Sequence, residues 1–334
     1  MKAAVLHGPR DLRVEPTPAP ELGPGDVCVR VSLAGLCGTD YRIWTGDRRV
    51  VYPRVMGHEF VGRVAAVGRD VHRVRPGDRI VVEPNYSCGR CPLCREGNRN
   101  LCAARTAVGI DVDGAFAELA RVPERCCWAV PASVADDDAL LAEPLAVVTR
   151  AVTRAGGRPG ETAAVVGAGT LGLLALQILV ARGLRVLVVG RTARRFDMAR
   201  ALGASETHEV SAAPLADVAQ RFSGREGTDV VVETAGTATA VEHALALVRP
   251  GGRVVLTGLP HEPTPIAFFS VVRREVTITG SMIYQEEFGD ALNLLASGVV
   301  RARPLVTHRF DLDAIGAAFV AHQDAASIKV AVAL

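Results

Sequence analysis

The sequence predicts an α/β protein of two domains, an all-β, barrel-like domain followed by a domain with a doubly wound parallel sheet. Its 334 residues correspond to about two domains. Short β segments between Gly and Pro residues fill the first third, and alternating strands and helices follow from about residue 150. Hydrophobic residues make up 49% of the chain and aromatic residues only 4%, so Val, Leu, Ala and Ile must form the core.

In the first third, strand signals alternate with turn signals. Residues 27–33 alternate in polarity, and residues 79–83 form a β-branched run after a Pro-Gly-Asp turn. No convincing long helical period interrupts these segments. They favour a barrel-like β domain that carries loops.

The second part of the chain predicts strand–helix pairs in regular order. The predicted strands are 162–166, 186–189, 229–233 and 253–257, and the predicted helices are 171–182, 194–202 and 239–248. Strands that alternate with helices of this length are typical of right-handed βαβ units in a parallel sheet. The remaining residues are less regular, with one helix predicted over 286–297.

A glycine-rich turn lies between the first of these strands and its helix. Gly167, Gly169 and Gly172 form the pattern G-x-G-x-x-G. The first glycine permits a tight turn, the second lets a pyrophosphate approach the backbone, and the third packs the helix onto the strand. The helix then begins with Thr170 and Leu171, whose N–H groups can bind an anion. The context predicts a dinucleotide site, and a turn without a ligand is the alternative.

This interpretation also explains an uncharged stretch, residues 163–181, which a hydropathy window would take for a membrane span. It is a buried strand, a turn and the start of a helix. The net charge is only +2, from 38 Lys and Arg against 36 Asp and Glu, and no basic block favours nucleic acid or an anionic membrane. The N-terminus shows no signal peptide, and we therefore expect a cytoplasmic protein.

The end of the second strand of this domain bears on the choice between NADP and NAD. NAD sites carry an Asp or Glu here, which binds the ribose 2′-OH. This chain has Gly190, Arg191 and Thr192 instead, with Arg194 and Arg195 close by. Gly190 leaves room for a 2′-phosphate, and the side chains that follow can donate hydrogen bonds to it. The pattern favours NADP. In the alternative interpretation, NAD is the cofactor, and the arginines lie at the solvent-exposed start of a helix.

Four of the eight cysteines lie in one short loop and predict a closed metal site. They are Cys88, Cys91, Cys94 and Cys102. Four thiolates complete a tetrahedral Zn²⁺ site without an open position, which is typical of structural zinc. Iron or an iron–sulfur cluster is chemically possible. Disulfides are disfavoured, because cysteines three residues apart on a loop rarely meet disulfide geometry.

A second set of candidate ligands lies earlier in the chain. Cys37 follows Gly35-Leu36, and His58 and Glu59 follow Gly57. Thiolate, imidazole and carboxylate are all zinc donors. Taken singly, each of these residues has an ordinary structural interpretation.

Together, these motifs resemble the zinc-dependent medium-chain dehydrogenase/reductase superfamily over essentially the whole chain. The family's alcohol dehydrogenase signature reads here as Gly57-His58-Glu59-x2-Gly62-x5-Gly68-x2-Val71. The Cys37 loop, this signature, the four-cysteine lobe and the Gly167 turn follow in the family's order. Residues 142–147, Ala-Glu-Pro-Leu-Ala-Val, resemble the branch of polyol (sorbitol-like) and threonine dehydrogenases.

The resemblance implies a GroES-like β-barrel catalytic domain and a Rossmann cofactor domain. The catalytic domain would comprise residues 1–148 and 283–334, with the structural zinc lobe at 84–104. The Rossmann domain would comprise residues 149–282. The family usually forms dimers or tetramers, and residues 268–281 are the expected region of contact between Rossmann sheets.

The resemblance also implies a catalytic zinc held by Cys37, His58 and a carboxylate, with Glu59 and Glu143 exchanging as ligand or one of them acting through a water. Together with the four-cysteine loop, this gives two zinc ions per chain. Thr39 would begin a proton relay. Asp40 would orient His58. Glu143 could instead be a helix N-terminal charge.

One residue departs from the family's pattern. Members often carry a His five residues after the zinc cysteine, as the outer end of the relay, and this chain has Arg42. Arginine cannot accept and pass on a proton. Arg42 could contact an anionic substrate or a cofactor phosphate, or lie on the surface.

The function that we expect from this resemblance is oxidation of a secondary alcohol of a polar substrate, a polyol, cyclitol or amino alcohol, to a ketone with NADP or NAD. One alternative is a general secondary alcohol dehydrogenase. The other is a nucleotide-binding sensor without catalysis.

Overall fold

The computed structural model describes residues 1–260 and 263–334. The strands are β1 (Lys2–Gly8), β2 (Asp11–Pro16), β3 (Asp26–Leu36), β4 (Arg54–Val55), β5 (Glu59–Val67), β6 (Arg79–Val82), β7 (Asn85–Tyr86), β8 (Thr106–Ala107), β9 (Leu119–Pro123), β10 (Cys127–Ala129), β11 (Thr162–Val166), β12 (Arg185–Gly190), β13 (Glu206–Glu209), β14 (Thr228–Glu233), β15 (Val248–Leu256), β16 (Thr277–Gly280), β17 (Val306–Asp311) and β18 (Lys329–Ala333).

The α-helices are α1 (Gly38–Thr45), α2 (Pro92–Arg95), α3 (Asp136–Ala139), α4 (Ala142–Ala155), α5 (Thr170–Ala181), α6 (Phe196–Ala201), α7 (Leu215–Ser223), α8 (Ala238–Leu247), α9 (Phe268–Arg273), α10 (Glu287–Ala296) and α11 (Ile315–Ala321). Short 3₁₀ helices are Arg99–Leu101, Glu124–Cys126, Ala193–Arg195, Arg303–Leu305 and Leu312–Ala314. None of the helices in the described part of the chain is both long and apolar enough to span a membrane.

The chain divides into two compact units. The first comprises residues 1–143 and 302–334, and the second comprises residues 144–301. The sequence places the return to the first unit at residue 283, whereas the structure places it at residue 302. The reason is that α10 belongs to the second unit, where Glu287 at its start pairs with Arg150 of α4 at 3.0 Å.

The first unit is built around a sheet with the strand order β10-β6-β5-β3-β18-β17, and β9 also pairs with β3. In this sheet, β3 pairs antiparallel with β5 so that Gly35 lies opposite Glu59. On its other side, β3 pairs antiparallel with β18 so that Leu36 lies opposite Val330. The end of β3, the start of β5 and the start of β18 therefore lie side by side, where these three neighbouring strands end or begin.

The second unit contains a parallel sheet with the order β13-β12-β11-β14-β15-β16. β11 lies between β12 and β14, so the strand order reverses at β11, as in doubly wound folds that bind dinucleotides at such a reversal. The α/β class predicted from the sequence is confirmed. The polar strand β13 and helix α7 are additions that the sequence did not predict, whereas the edge strand β16 lies within residues 268–281, the strand region that the resemblance implied.

Three predictions differ from the structure. The strand predicted over 253–257 begins five residues earlier, as β15 (Val248–Leu256). The helix predicted over 194–202 is a 3₁₀ turn at 193–195 followed by α6. The first third does contain a helix, α1, which has only eight residues and too few apolar positions to show a period. It begins where Asp40 Oδ2 accepts a hydrogen bond from the Cys37 N–H at 3.0 Å.

Candidate metal centres and cofactor turn

The structure brings Cys37, His58 and Glu59 together at the sheet edge of the first unit. One potential ligand atom from each lies within 4.8 Å of the others. Cys37 directly follows β3, and His58 and Glu59 lie where β5 begins. Gly35 makes room for this arrangement, because a Cβ on it would lie 2.5 Å from Glu59 Oε2. We call these three residues the mixed-donor site.

Asp40 holds His58 from behind. Its side chain is fully buried, and Oδ1 lies 3.3 Å from His58 Nδ1. Burial alone would raise the pKa of Asp40, but His58 and the N–H groups of Cys37 and Gly57 lower it below its usual value. With Nδ1 facing Asp40, His58 has Nε2 left as its ligand atom. A carboxylate behind a histidine is the usual way to orient a metal ligand.

Lys329 is a residue of this site that sequence reasoning missed. Its Nζ lies 2.5 Å from Glu59 Oε2 and donates to the Leu36 carbonyl at 3.3 Å. Only 3% of Lys329 and 1% of Glu59 is exposed, so the ion pair is fully desolvated. Burial alone would lower the pKa of Lys329, but Glu59, Cys37 and Glu143 raise it above its usual value. The signal for it was a charge at the start of an otherwise apolar strand, 329–333.

The structure treats the two candidate carboxylates differently. Glu59 belongs to the mixed-donor site, whereas Glu143 is not one of the three residues whose ligand atoms converge. Glu143 lies in the first turn of α4, is 9% exposed, and its charge contributes to the raised pKa of Lys329. Thr39, the expected start of the proton relay, is half-buried as the second residue of α1.

The four cysteines of the loop form a second cluster, which we call the four-cysteine site. Sγ–Sγ distances are 3.6 Å for Cys88–Cys102, 3.5 Å for Cys91–Cys94, 3.9 Å for Cys91–Cys102 and 4.0 Å for Cys88–Cys94. All four are free thiols. A zinc tetrahedron with Zn–S bonds of about 2.3 Å has edges of about 3.8 Å. The thiols therefore fit tetrahedral zinc.

The glycine-rich turn shows which of its glycines the protein itself needs. Gly167 has φ +108°, and a Cβ on Gly172 would lie 1.8 Å from the Gly167 carbonyl oxygen. A Cβ on Gly169 would meet no atom closer than Arg195 Nη1 at 3.8 Å. The protein requires the first and third glycines, and the open space at Gly169 fits the approach of a cofactor phosphate to the start of α5.

The end of β12 lacks the acidic residue that is typical of an NAD site, and steric crowding does not explain its absence. A Cβ on Gly190 would meet only ordinary contacts, the nearest of them at 3.5 Å. Arg191 is exposed, Thr192 is half-buried, and Arg195 extends towards Gly169 of the turn. The fold would accept a Cβ at position 190, so the backbone does not itself require glycine there.

Comparisons with known proteins agree with this geometry. The alcohol dehydrogenase GroES-like domain matches residues 23–132, and the zinc-binding dehydrogenase family matches residues 170–297. Sorbitol dehydrogenase of Bacillus subtilis (strain 168) is 33% identical over 320 residues, which cover 94% of this chain and 91% of that protein. L-threonine 3-dehydrogenase of Streptomyces avermitilis is 36% identical over 320 residues, which cover 93% and 91%.

A solved structure extends the comparison to the whole fold. A zinc-binding dehydrogenase from Sinorhizobium meliloti 1021, bound to NADP, matches with a TM-score of 0.94 at 34% identity, over 100% of this chain and 99% of that one. Fold and motifs together define an oxidoreductase of the zinc-containing alcohol or polyol dehydrogenase type. The chain belongs to the zinc-dependent medium-chain dehydrogenase/reductase superfamily, in the branch of polyol and threonine dehydrogenases.

Proposed function

We propose that this chain reversibly oxidises a secondary alcohol of a polar substrate, a polyol, cyclitol or amino alcohol, to the ketone, with hydride transfer to NADP⁺. The observation that carries the proposal is the mixed-donor site, in which Cys37, His58 and Glu59 converge within 4.8 Å. A sensor that only bound nucleotide would not need this donor set. Two of its members have their own buried partner, Asp40 for His58 and Lys329 for Glu59.

The ligands that we propose are Cys37, His58 and the two carboxylates. Glu59 already uses Oε2 for Lys329, which leaves Oε1 for the metal. Glu143 supplies the second carboxylate, either directly or through water. A set with carboxylate in place of a second thiolate is harder and exchanges ligands more readily than an all-sulfur set.

When bound, zinc supplies a Lewis acid that lowers the pKa of the substrate hydroxyl, and the nicotinamide supplies the hydride acceptor. The protein's own residues then hold the parts in place. Asp40 keeps His58 in one orientation, and Lys329 neutralises the buried Glu59 carboxylate. Thr39 Oγ1 accepts the substrate's hydroxyl proton and gives up its own to water or to the cofactor's ribose hydroxyl, because Arg42 cannot accept it.

We propose NADP over NAD as the cofactor, bound across the Gly167 turn and the end of β12. Gly190 supplies the space, and Arg191, Thr192 and Arg195 supply donors for a 2′-phosphate. Arg191→Ala is expected to weaken NADPH binding about ten- to a hundredfold and NADH binding much less, since one charge-assisted hydrogen bond is lost. Fluorescence titration with both cofactors measures this, and equal weakening of both would contradict the 2′-phosphate role.

The four-cysteine site is proposed as a structural zinc site, which gives two zinc ions per chain. Free thiols at all eight cysteines fit a reducing compartment, and we propose that the protein is cytoplasmic.

We further propose that the chain forms a homodimer through β16. This strand ends the sheet, so within the described residues its outer edge has no partner strand. Phe268, Phe269 and Val272 of α9, just before it in the chain, are 66%, 78% and 75% exposed. Light scattering on Phe269→Asp tests the proposal, with a shift to monomer expected. A tetramer would reveal a second contact.

The central experiment combines metal analysis with an alcohol panel. The panel contains polyols, cyclitols, amino alcohols, their phosphate esters and simple secondary alcohols, each with NADP⁺ and NAD⁺. We expect two zinc ions per chain and cofactor reduction with polar secondary alcohols. Preference for simple alcohols would instead define a general secondary alcohol dehydrogenase. Full zinc content without alcohol-dependent reduction would favour a sensor.

A further inference from the structure

We infer that the substrate carries an anionic group, a phosphate or a carboxylate, and that Arg42 binds it with help from Arg48. The inference rests on the proposed dehydrogenase function and names the substrate class of the same site.

Arg42 is placed beside the mixed-donor site by helix α1. Cys37 caps the start of this helix, and Asp40 and Ile43 form its buried face. Arg42 is half-buried and follows Thr39 by three residues, so the two side chains share one face of the helix. Five residues separate Arg42 from Cys37, which is about 7.5 Å along a helix axis. A small sugar-alcohol phosphate or sugar acid can span that distance.

The chain segment that contains Arg42, residues 37–55, has two acidic residues, and each has another partner. Asp40 is buried against His58, and Asp47 accepts a hydrogen bond from Thr45 Oγ1 at 2.8 Å. Arg54, later in the same segment, pairs with Asp113 at 2.8 Å. Residues 37–55 contain four arginines against two aspartates, so the segment keeps a net positive charge.

Three arginines of the segment have no ion-pair partner in residues 1–260 and 263–334. They are Arg42, Arg48 and Arg49. Arg191, at the proposed 2′-phosphate position, is also without an ion-pair partner in that part of the chain. By contrast, Arg150 and Arg249 pair with carboxylates at 3.0 Å and 2.8 Å. The arginines of the segment 37–55 that lack an ion pair are thus available to a ligand.

The loop after α1 brings a second arginine back to the first. Gly46, with φ +89°, ends the helix, and the backbone N–H of Arg48 donates to the Arg42 carbonyl at 2.9 Å. Arg48 is half-buried, whereas Arg49 is exposed. Two arginine side chains that extend from adjacent backbone positions can bind one oxyanion, since each guanidinium offers a planar fork of donors.

The first test compares matched substrates on the zinc-loaded enzyme with NADP⁺. One pair is a neutral polyol and its terminal phosphate ester, and a second pair is the same polyol and its sugar acid. We expect at least tenfold higher kcat/KM for one or both anionic members. The pair with the larger ratio distinguishes phosphate from carboxylate. Equal or higher kcat/KM for the neutral polyol would overturn the inference, while the dehydrogenase function would stand.

The second test substitutes the arginine. Arg42→Gln is expected to lower kcat/KM for the anionic member about ten- to a hundredfold and to leave the neutral member and the Kd for NADPH unchanged. Arg42→Lys should lie between, because it keeps the charge and loses the fork. Arg30→Gln is the matched control, since Arg30 is an exposed arginine on β3 away from Cys37. A raised Kd for NADPH would assign Arg42 to a cofactor phosphate and overturn the inference.

A binding measurement keeps the inference testable if no alcohol in the panel is oxidised. Inorganic phosphate and, in a separate titration, acetate are titrated calorimetrically into the zinc-loaded protein and into Arg42→Gln, both with NADPH bound so that the proposed 2′-phosphate position is filled. Binding of either anion that is at least tenfold tighter in the unsubstituted protein supports the inference even where the proposed function fails. Equal binding of both anions to the two proteins, or no binding of either anion, overturns it.

Discussion

The two candidate metal sites of the first unit are built in opposite ways. The four-cysteine site takes four like donors from one loop, residues 88–102, with Sγ–Sγ distances of 3.5 to 4.0 Å. The mixed-donor site collects different donors from separate segments and has a buried partner behind two of them, Asp40 behind His58 and Lys329 behind Glu59. Four thiolates complete one metal without further help. A metal that keeps one coordination position free for substrate has fewer protein ligands. Each of these ligands must then be oriented by a neighbouring residue that does not itself bind the metal.

The largest effect is expected from His58→Ala in the mixed-donor site. It should lower kcat/KM at least about 10³-fold, because several kcal/mol of transition-state stabilisation depend on the metal. The Kd for NADPH should change little, which separates this site from the cofactor turn, whereas the melting temperature should fall because the buried Asp40 carboxylate loses its partner. Steady-state kinetics and fluorescence titration measure both. Activity within tenfold of the unsubstituted enzyme would remove the site from catalysis.

The next largest effect is expected from Lys329→Met, which leaves the Glu59 carboxylate buried without its cation. The free energy of unfolding should fall by about 3–5 kcal/mol, the usual cost of breaking a buried pair. The double variant Glu59→Gln/Lys329→Met should recover most of this loss, and Lys329→Arg is the charge-conserving control. Denaturant unfolding measures all four proteins. A single variant as stable as the parent would show that the ion pair contributes nothing.

A smaller effect on stability is expected from Cys94→Ser in the four-cysteine site. Loss of one thiolate should release that zinc and lower the melting temperature by about 5–10 °C. The kcat per remaining zinc should stay within about twofold, because this site takes no part in the chemistry. Arg95→Gln, at the exposed neighbouring residue, is the control. Full zinc content with an unchanged melting temperature would argue against a structural site.

The smallest effect is expected from Asp40→Asn. The amide keeps the shape of the side chain but not its charge, so zinc affinity of the mixed-donor site should fall about 10–100-fold. The four-cysteine site should keep its zinc under the same chelator titration. Equal release from both sites would mean that Asp40 does not orient His58.

The parts of the molecule that sequence alone predicted are those with local patterns. The turn at Gly167, the strand–helix alternation after it and the four-cysteine loop each lie within one short segment. Their spacing is therefore visible along the chain. Strand β13 was missed because its four residues, Glu206–Glu209, are polar. Helix α1 was missed because it is short and is stabilised at its start by a side chain.

The parts that sequence did not predict depend on contacts between distant segments. Lys329 meets Glu59 only because β18 returns beside β3 and β3 pairs with β5. The resemblance allowed either Glu59 or Glu143 as the metal carboxylate. In the structure, Glu59 lies with Cys37 and His58, whereas Glu143 acts on Lys329, whose pKa its charge raises.

By itself, the sequence determined the class of fold, the glycine turn and the candidate ligands, because each rests on backbone preferences or donor types that act over a few residues. Only the tertiary structure decided which charges face one another in the buried site. A desolvated carboxylate needs a cation, and strand order alone brings Lys329 from the end of the chain to Glu59. The same folding commits Asp40 to His58 and leaves Arg42 without an ion-pair partner in the described residues.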